Sequence, residues 1–173
     1  GDQPVQVRVE VGYQSRRLER KERSSMRTVA FAPGAIDWEL GMDQAAAYVT
    51  PRDPAVEALA RTAGRIVTLR PREAFGNRNV GFAAALVDAL GELGVAYVPD
   101  PTTPFATVAG TPHAIDTINY PHETLARRSG DCDDSTVLMA SLLGNLGVET
   151  KFVDAPGHIF LVFDTGLRER NRA

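Results

Sequence analysis

The sequence is poor in cysteine, because Cys132 is the only one among 173 residues. A single thiol cannot form an intramolecular disulfide, so cysteine usage does not indicate a redox compartment. Zinc is also disfavoured, since one cysteine and three histidines make a poor source of four ligands. The role of Cys132 must therefore be packing, metal binding or chemistry.

Net charge and long apolar runs are scarce as well. The formal net charge is only −3, so no basic field predicts binding to nucleic acid or to an anionic membrane surface. No apolar run approaches the roughly 20 residues of a membrane-spanning helix, and membrane insertion is not expected. The hydrophobic fraction of 43% is ordinary for a soluble globular protein.

Residues 1–50 predict a β-hairpin or the end of a preceding domain, and both alternatives stay open. Valine at positions 5, 7, 9 and 11 has the period of two that is typical of a strand with one buried face. Residues 15–25 read as a charged loop or hairpin tip, and 28–31 as a short returning strand.

Residues 51–173 are predicted to form a second domain, in which helices precede strands. Asp53 followed by Pro54 is a favoured helix start. Further helices are expected at about 79–93 and after Gly130, with Gly94 and Gly147 as their caps. Strands are expected at 95–98, 152–153 and 159–163. This order predicts the α+β class, with helices packed on a small antiparallel sheet.

The stretch 130–134 is the most informative for chemistry. With Asp131 as N-cap, Cys132 becomes the first helical residue, and Asp131 and Asp134 could form a capping box. The positive end of the helix dipole favours a thiolate at that position. Asp131, Asp133 and Asp134 have the opposite effect, because like charges raise the pKa of a thiol. A nucleophilic Cys132 therefore needs a positive partner close to its sulfur.

His158 is the candidate partner, because it opens an apolar strand. A helix packed on that strand could bring the Cys132 sulfur and the His158 imidazole together, although the two residues are far apart in sequence. The alternative is that both residues are structural, since a cysteine on an apolar helix is usually a small core residue. Calcium held by the three aspartates is disfavoured because no EF-hand spacing is present, so no metal or cofactor is expected.

The chain resembles the transglutaminase-like superfamily, in particular its bacterial cysteine peptidases. The resemblance covers about 80–164 and lies in a strand with Tyr97, the Glu-Thr-Leu of 123–125, the Gly-x-Cys-x-Asp of 130–134, the Leu-Gly-Val of 146–148 and His158. It implies a papain-like core, a Cys-His-Asp type of triad and acyl-group chemistry on a protein or peptide substrate. It also implies that Tyr97 lines the substrate cleft. Some bacterial relatives hold calcium with acids beside the cysteine.

The third member of such a triad is not evident in the sequence. Asp164 is the only aspartate past His158, and on one continuous strand a separation of six residues is about 20 Å. The expectation is that the third residue lies beyond residue 173, in a domain truncated at its C-terminus. Asn119 or Asp116 are the alternatives for orienting the ring.

Two functional hypotheses follow. The first is thiol-dependent hydrolysis or acyl transfer at an amide bond, with Cys132 as nucleophile and His158 as base. The second is a transglutaminase-like binding module that has lost turnover, which the flanking carboxylates favour. An extracytoplasmic bacterial location is slightly favoured. The sequence does not distinguish water from an amine as the acyl acceptor, and it does not indicate an oligomeric state.

Overall fold

The computed structural model describes residues 4–14, 20–30, 34–38, 42–70, 75–99 and 115–167. Contacts between backbone positions divide the chain into two compact units, 1–35 and 36–173. The boundary expected near residue 50 therefore lies inside the second unit. The predicted loop 99–112 and the Arg-rich end, 168–172, fall almost entirely outside the described residues, as does His113.

The first unit contains an antiparallel hairpin of two eleven-residue strands. Strand β1 (Pro4–Gln14) pairs along its whole length with β2 (Arg20–Ala30), from Pro4 opposite Ala30 to Gln14 opposite Arg20. The returning strand is longer than the predicted 28–31, because pairing continues through the charged stretch to Arg20. The side chains of the four alternating valines lie outside the described ones.

The second unit contains four α-helices in its described part. Asp53 caps the first of them as predicted, and its Oδ1 accepts a hydrogen bond of 2.9 Å from the Ala55 amide. Gly94 and Gly147 adopt positive φ angles after the second and fourth helices, as their cap role requires. The helices are α1 (Pro54–Leu69), α2 (Arg78–Glu92), α3 (Pro121–Arg127) and α4 (Cys132–Asn145), with a 3₁₀ helix at Met42–Tyr48.

The strands of this unit form two-stranded sheets instead of one continuous sheet. The pairs are β3 (Ala35–Asp37) with β5 (Ile115–Thr117), β4 (Ala96–Tyr97) with β6 (Ser129–Gly130), and β7 (Thr150–Ala155) with β8 (His158–Phe163). The β4–β6 pair is parallel, whereas β7 and β8 form an antiparallel hairpin. Pro156 and Gly157 make its turn, and the φ of Gly157 is 72°. Helices combined with small sheets confirm the α+β class.

Helix α4 lies at the centre of the unit. Its residues Leu138, Leu142 and Leu143 are buried in one cluster with the apolar faces of α1 and α2. Ten of its residues are buried, so the helix packs against neighbours on nearly every side. This burial fixes where the first turn of α4, with Cys132, must lie. No helix within the described ranges is long and apolar enough to cross a membrane.

We predict that Leu142→Ala destabilises the protein by about 2–5 kcal/mol, because Leu142 is fully buried and truncation leaves a cavity in the central cluster. Leu69→Ala is the matched control, since Leu69 is 81% exposed, and we expect it to change stability by about 0.5 kcal/mol or less. Urea unfolding followed by circular dichroism measures both. Equal effects of the two substitutions would contradict the central position of α4.

Candidate active site

Cys132 is the first residue of α4, as the sequence predicts, and Asp131 is its N-cap. Gly130 precedes them on β6, where it pairs with Tyr97 of β4. A Cβ atom at Gly130 would lie 2.7 Å from the Asp134 Cβ and 3.1 Å from the Thr124 Cγ2. Glycine is therefore required here by close packing against the first turn of α4.

The Cys132 thiol is almost enclosed. Its side chain is 6% exposed and packs with Ile159, while Trp38, Met42 and Phe152 lie against the pair. Burial raises the pKa of the thiol above its ordinary value. A hydrogen bond from the Ile159 backbone opposes this rise, and the charges of Asp131 and Asp133 add to it. The lowering that the helix dipole predicts is thus outweighed, and the thiol is protonated at neutral pH.

His158 is exposed, and its side chain starts on the opposite face of β8 from Ile159, which packs against Cys132. Ile159 is the inward residue, with 1% of its surface exposed, and its carbonyl accepts a 3.2 Å hydrogen bond from the Thr136 hydroxyl. The His158 ring stacks with Phe160, with centroids 6.2 Å apart. Because successive side chains of a strand point to opposite faces, burying Ile159 turns the His158 ring away from α4. The structure therefore brings Ile159 to the sulfur, whereas the His158 side chain starts on the opposite face of β8.

The candidates for a third catalytic residue are engaged elsewhere. Strand β8 runs without a fold-back from His158 to Phe163, so Asp164 lies about 20 Å from the histidine. The Asp164 carboxylate accepts a hydrogen bond from the Gly166 amide. Asn119 bonds through its amide nitrogen to the Asp134 carboxylate at 2.7 Å and through its oxygen to Arg127. Within this conformation, Asp164 cannot orient the His158 ring.

Asp116, the other alternative, forms a contact that sequence analysis missed. Its Oδ2 accepts a 2.8 Å hydrogen bond from the Trp38 indole Nε1, across 78 positions of sequence. Trp38 is the only tryptophan of the chain, but no spacing or motif connects it with Asp116 or with Cys132. Only the fold brings these residues together, so the position of Trp38 next to the Cys132–Ile159 pair could not be inferred from sequence.

Tyr97 lies beside the site on its solvent side, with 61% of its surface exposed. Desolvation raises the pKa of its phenol, and so do the charges of Cys132, Asp131 and Asp133. The phenol is therefore within electrostatic range of the thiol and the acidic residues. A position at the edge of the Cys132 site is compatible with the substrate-lining role that the resemblance implies.

Asp131, Asp133 and Asp134 form a buried carboxylate cluster, which we call the acidic cluster. One oxygen from each lies within 4.8 Å of the others. Asp133 accepts the Asp134 amide through Oδ1, while its Oδ2 is buried without a hydrogen-bond partner. Three such carboxylates can hold a hard cation such as Ca²⁺, or they can share protons.

Burial and neighbouring carboxylates determine the protonation of the acidic cluster. The pKa of Asp133 is raised to about 10, first by burial and next by the neighbouring Asp131 carboxyl. Burial also raises the pKa of Asp134, although hydrogen bonds from Asn119 oppose that effect. The predicted capping box is half formed: the Asp134 carboxylate accepts a hydrogen bond from the Asp131 backbone amide, but the Asp131 side chain makes no cap bond. Asp134 also accepts from Asn119.

We predict that Asp133→Asn becomes more stable relative to wild type as the pH rises. The folded-state pKa of about 10 is above the ordinary aspartate value of 3.8, so wild type loses stability as the pH rises through this window, whereas the amide stays neutral. Between pH 5 and pH 9 in buffer with EDTA, the difference in unfolding free energy should shift by at least about 1 kcal/mol. Urea titrations at both pH values measure it, with exposed Asp88→Asn as control. A constant difference, or a shift towards wild type, would contradict the protonated Asp133.

No protein-family model, no curated protein and no solved structure matches the chain.

Proposed function

We propose that the second unit carries out thiol-dependent hydrolysis or acyl transfer at an amide bond of a protein or peptide, with Cys132 as the nucleophile. The observation that carries the proposal is the position of Cys132 at the first residue of a buried helix, directly beside the strand that begins with His158. A helix start supplies backbone N–H groups that stabilise developing negative charge. The transglutaminase-like, papain-like form of the α+β core is part of the same proposal.

The proposed reaction has two balanced steps. The Cys132 sulfur attacks the amide carbonyl carbon after His158 takes the thiol proton, and the C–N bond breaks as His158 returns that proton to the leaving amine. Water or a second amine then attacks the thioester and releases Cys132. The Cys132 backbone amide contributes to the oxyanion site during both steps.

The described conformation is the resting form in this proposal. Its thiol is protonated, and His158 is an exposed residue at the start of β8. His158 is nevertheless the chain neighbour of Ile159, whose backbone bonds to the sulfur. Bringing the imidazole to the sulfur requires a rearrangement at the start of β8, next to the Pro156–Gly157 turn. Catalysis therefore proceeds from a minor conformation, populated without substrate, in which His158 reaches the thiol.

A binding module without turnover is the second candidate. Two observations favour it: the raised pKa of the Cys132 thiol and the solvent exposure of His158. In this case Cys132 is a small buried residue that packs the start of α4 on β8. The two candidates differ in whether His158 influences the reactivity of the sulfur.

We predict that His158→Ala slows alkylation of Cys132 by iodoacetamide at least about tenfold at pH 7, because the imidazole no longer removes the thiol proton. At pH 10 hydroxide removes this proton in both proteins, so the two rates should converge. Mass spectrometry of the intact chain measures the rates, with Cys132 as the only thiol. His122→Ala, an exposed histidine on α3, is the matched control and should leave the rate unchanged.

A second readout follows the chemistry itself. With p-nitrophenyl acetate, wild type should release one equivalent of nitrophenolate in a burst that Cys132→Ser abolishes. Equal alkylation rates for wild type and His158→Ala at both pH values, together with no burst, would favour the binding module over the enzyme.

A further inference from the structure

The Cys132–Ile159 pair is packed against by side chains from a segment that lies more than eighty residues earlier in the chain. We call this segment the strap, and it comprises residues 36–38 and the 3₁₀ helix Met42–Tyr48. Trp38 and Met42 of the strap lie against the Cys132–Ile159 pair, and Phe152 of β7 completes the cover. Access to the thiol is therefore limited by the strap.

The strap is anchored by contacts that do not involve the sulfur. Ile36 and Ala45 are buried in a cluster with Ile118 and Val137. The Tyr48 ring lies 5.1 Å from that of Tyr120. These anchors hold the backbone of the strap, so a side chain between them can move without detaching the segment.

An open groove of about 600 Å³ runs along the outer side of the strap. Met42 and Phe152 line this groove, and the same two residues belong to the cover over Cys132. Met42 and Phe152 thus border both the groove and the Cys132–Ile159 pair. Methionine is unbranched and adopts many rotamers, whereas the Phe152 ring is carried by a paired strand. Met42 is the more easily displaced part of the layer.

We infer that Met42 is a gate between this groove and the Cys132 thiol, and that rotation of its side chain admits a reactant to the sulfur. The Trp38–Asp116 hydrogen bond of 2.8 Å keeps the strap backbone in place while the gate opens. The inference rests on the proposed function, because the groove is then the route of the acyl donor to its nucleophile. It adds a conformational step that precedes the chemistry.

The test compares substitutions of two residues that line the same groove. Met42→Ala removes the gate, and the iodoacetamide rate at Cys132 should rise at least about tenfold at pH 8. Val49→Ala is the matched control, because Val49 lines the groove but is absent from the cover over the sulfur, and its rate should equal that of wild type. Met42→Ile keeps the bulk but stiffens the side chain at χ1, so its rate should fall below that of wild type.

Three controls separate a gate from other causes. Rates measured at 0 and 1 M urea should be nearly equal, whereas labelling through global unfolding would rise steeply with urea. If Met42→Ala does not fold, the slower labelling of Met42→Ile still tests the gate. Repeating both Met42 variants in His158→Ala separates the two proposals, since the gate effect should persist there even if His158 has no influence on the thiol. Wild-type rates in both Met42 variants, or an equal rise in Val49→Ala, would overturn the gate.

Discussion

The contact between the first turn of α4 and Ile159 of β8 determines the rest of the candidate site. Thr136 bonds to the Ile159 carbonyl, and the Ile159 backbone bonds to the Cys132 sulfur. With Ile159 fixed inward, strand alternation places His158 outward and the thiol inside an apolar shell. The inward packing of Ile159 therefore determines both the burial of the resting thiol and the opposite face on which the His158 side chain starts.

The acidic cluster beside this contact makes the start of α4 electrostatically unusual. Aspartates near a helix N-terminus normally interact well with its dipole, and exposed ones need no further partner. Here Asp133 and Asp134 are buried, so their charged forms are costly unless a proton or a cation compensates them. Hydrogen bonds from Asn119 supply part of the compensation at Asp134, and Arg127 in turn donates to the Asn119 oxygen. The thiol and the carboxylates thus share one desolvated environment, and the charge state of one affects the other.

The features of this structure that could be predicted are those that depend on neighbouring residues in the sequence. Asp53 marks the start of α1, and Gly94 and Gly147 follow the ends of α2 and α4. Each of these boundaries can be predicted from the residue that forms it. The first-turn position of Cys132 also follows from its immediate neighbours. Alternation along β8 places His158 and Ile159 on opposite faces, but alternation alone does not say which face packs on α4. Three features depend on residues far apart in sequence, for which no local pattern exists: the face of β8 that packs on α4, the Trp38–Asp116 bond and the side chains packed around Cys132.

The central claim is that the resting Cys132 thiol is buried and protonated at neutral pH. Since the chain has one cysteine, labelling with ¹³Cβ-cysteine gives a single resonance whose chemical shift reports thiol or thiolate. The account predicts a thiol shift up to pH 8 and a titration midpoint above the ordinary value of about 8.5. A thiolate shift at pH 7, with a midpoint below it, would contradict the account.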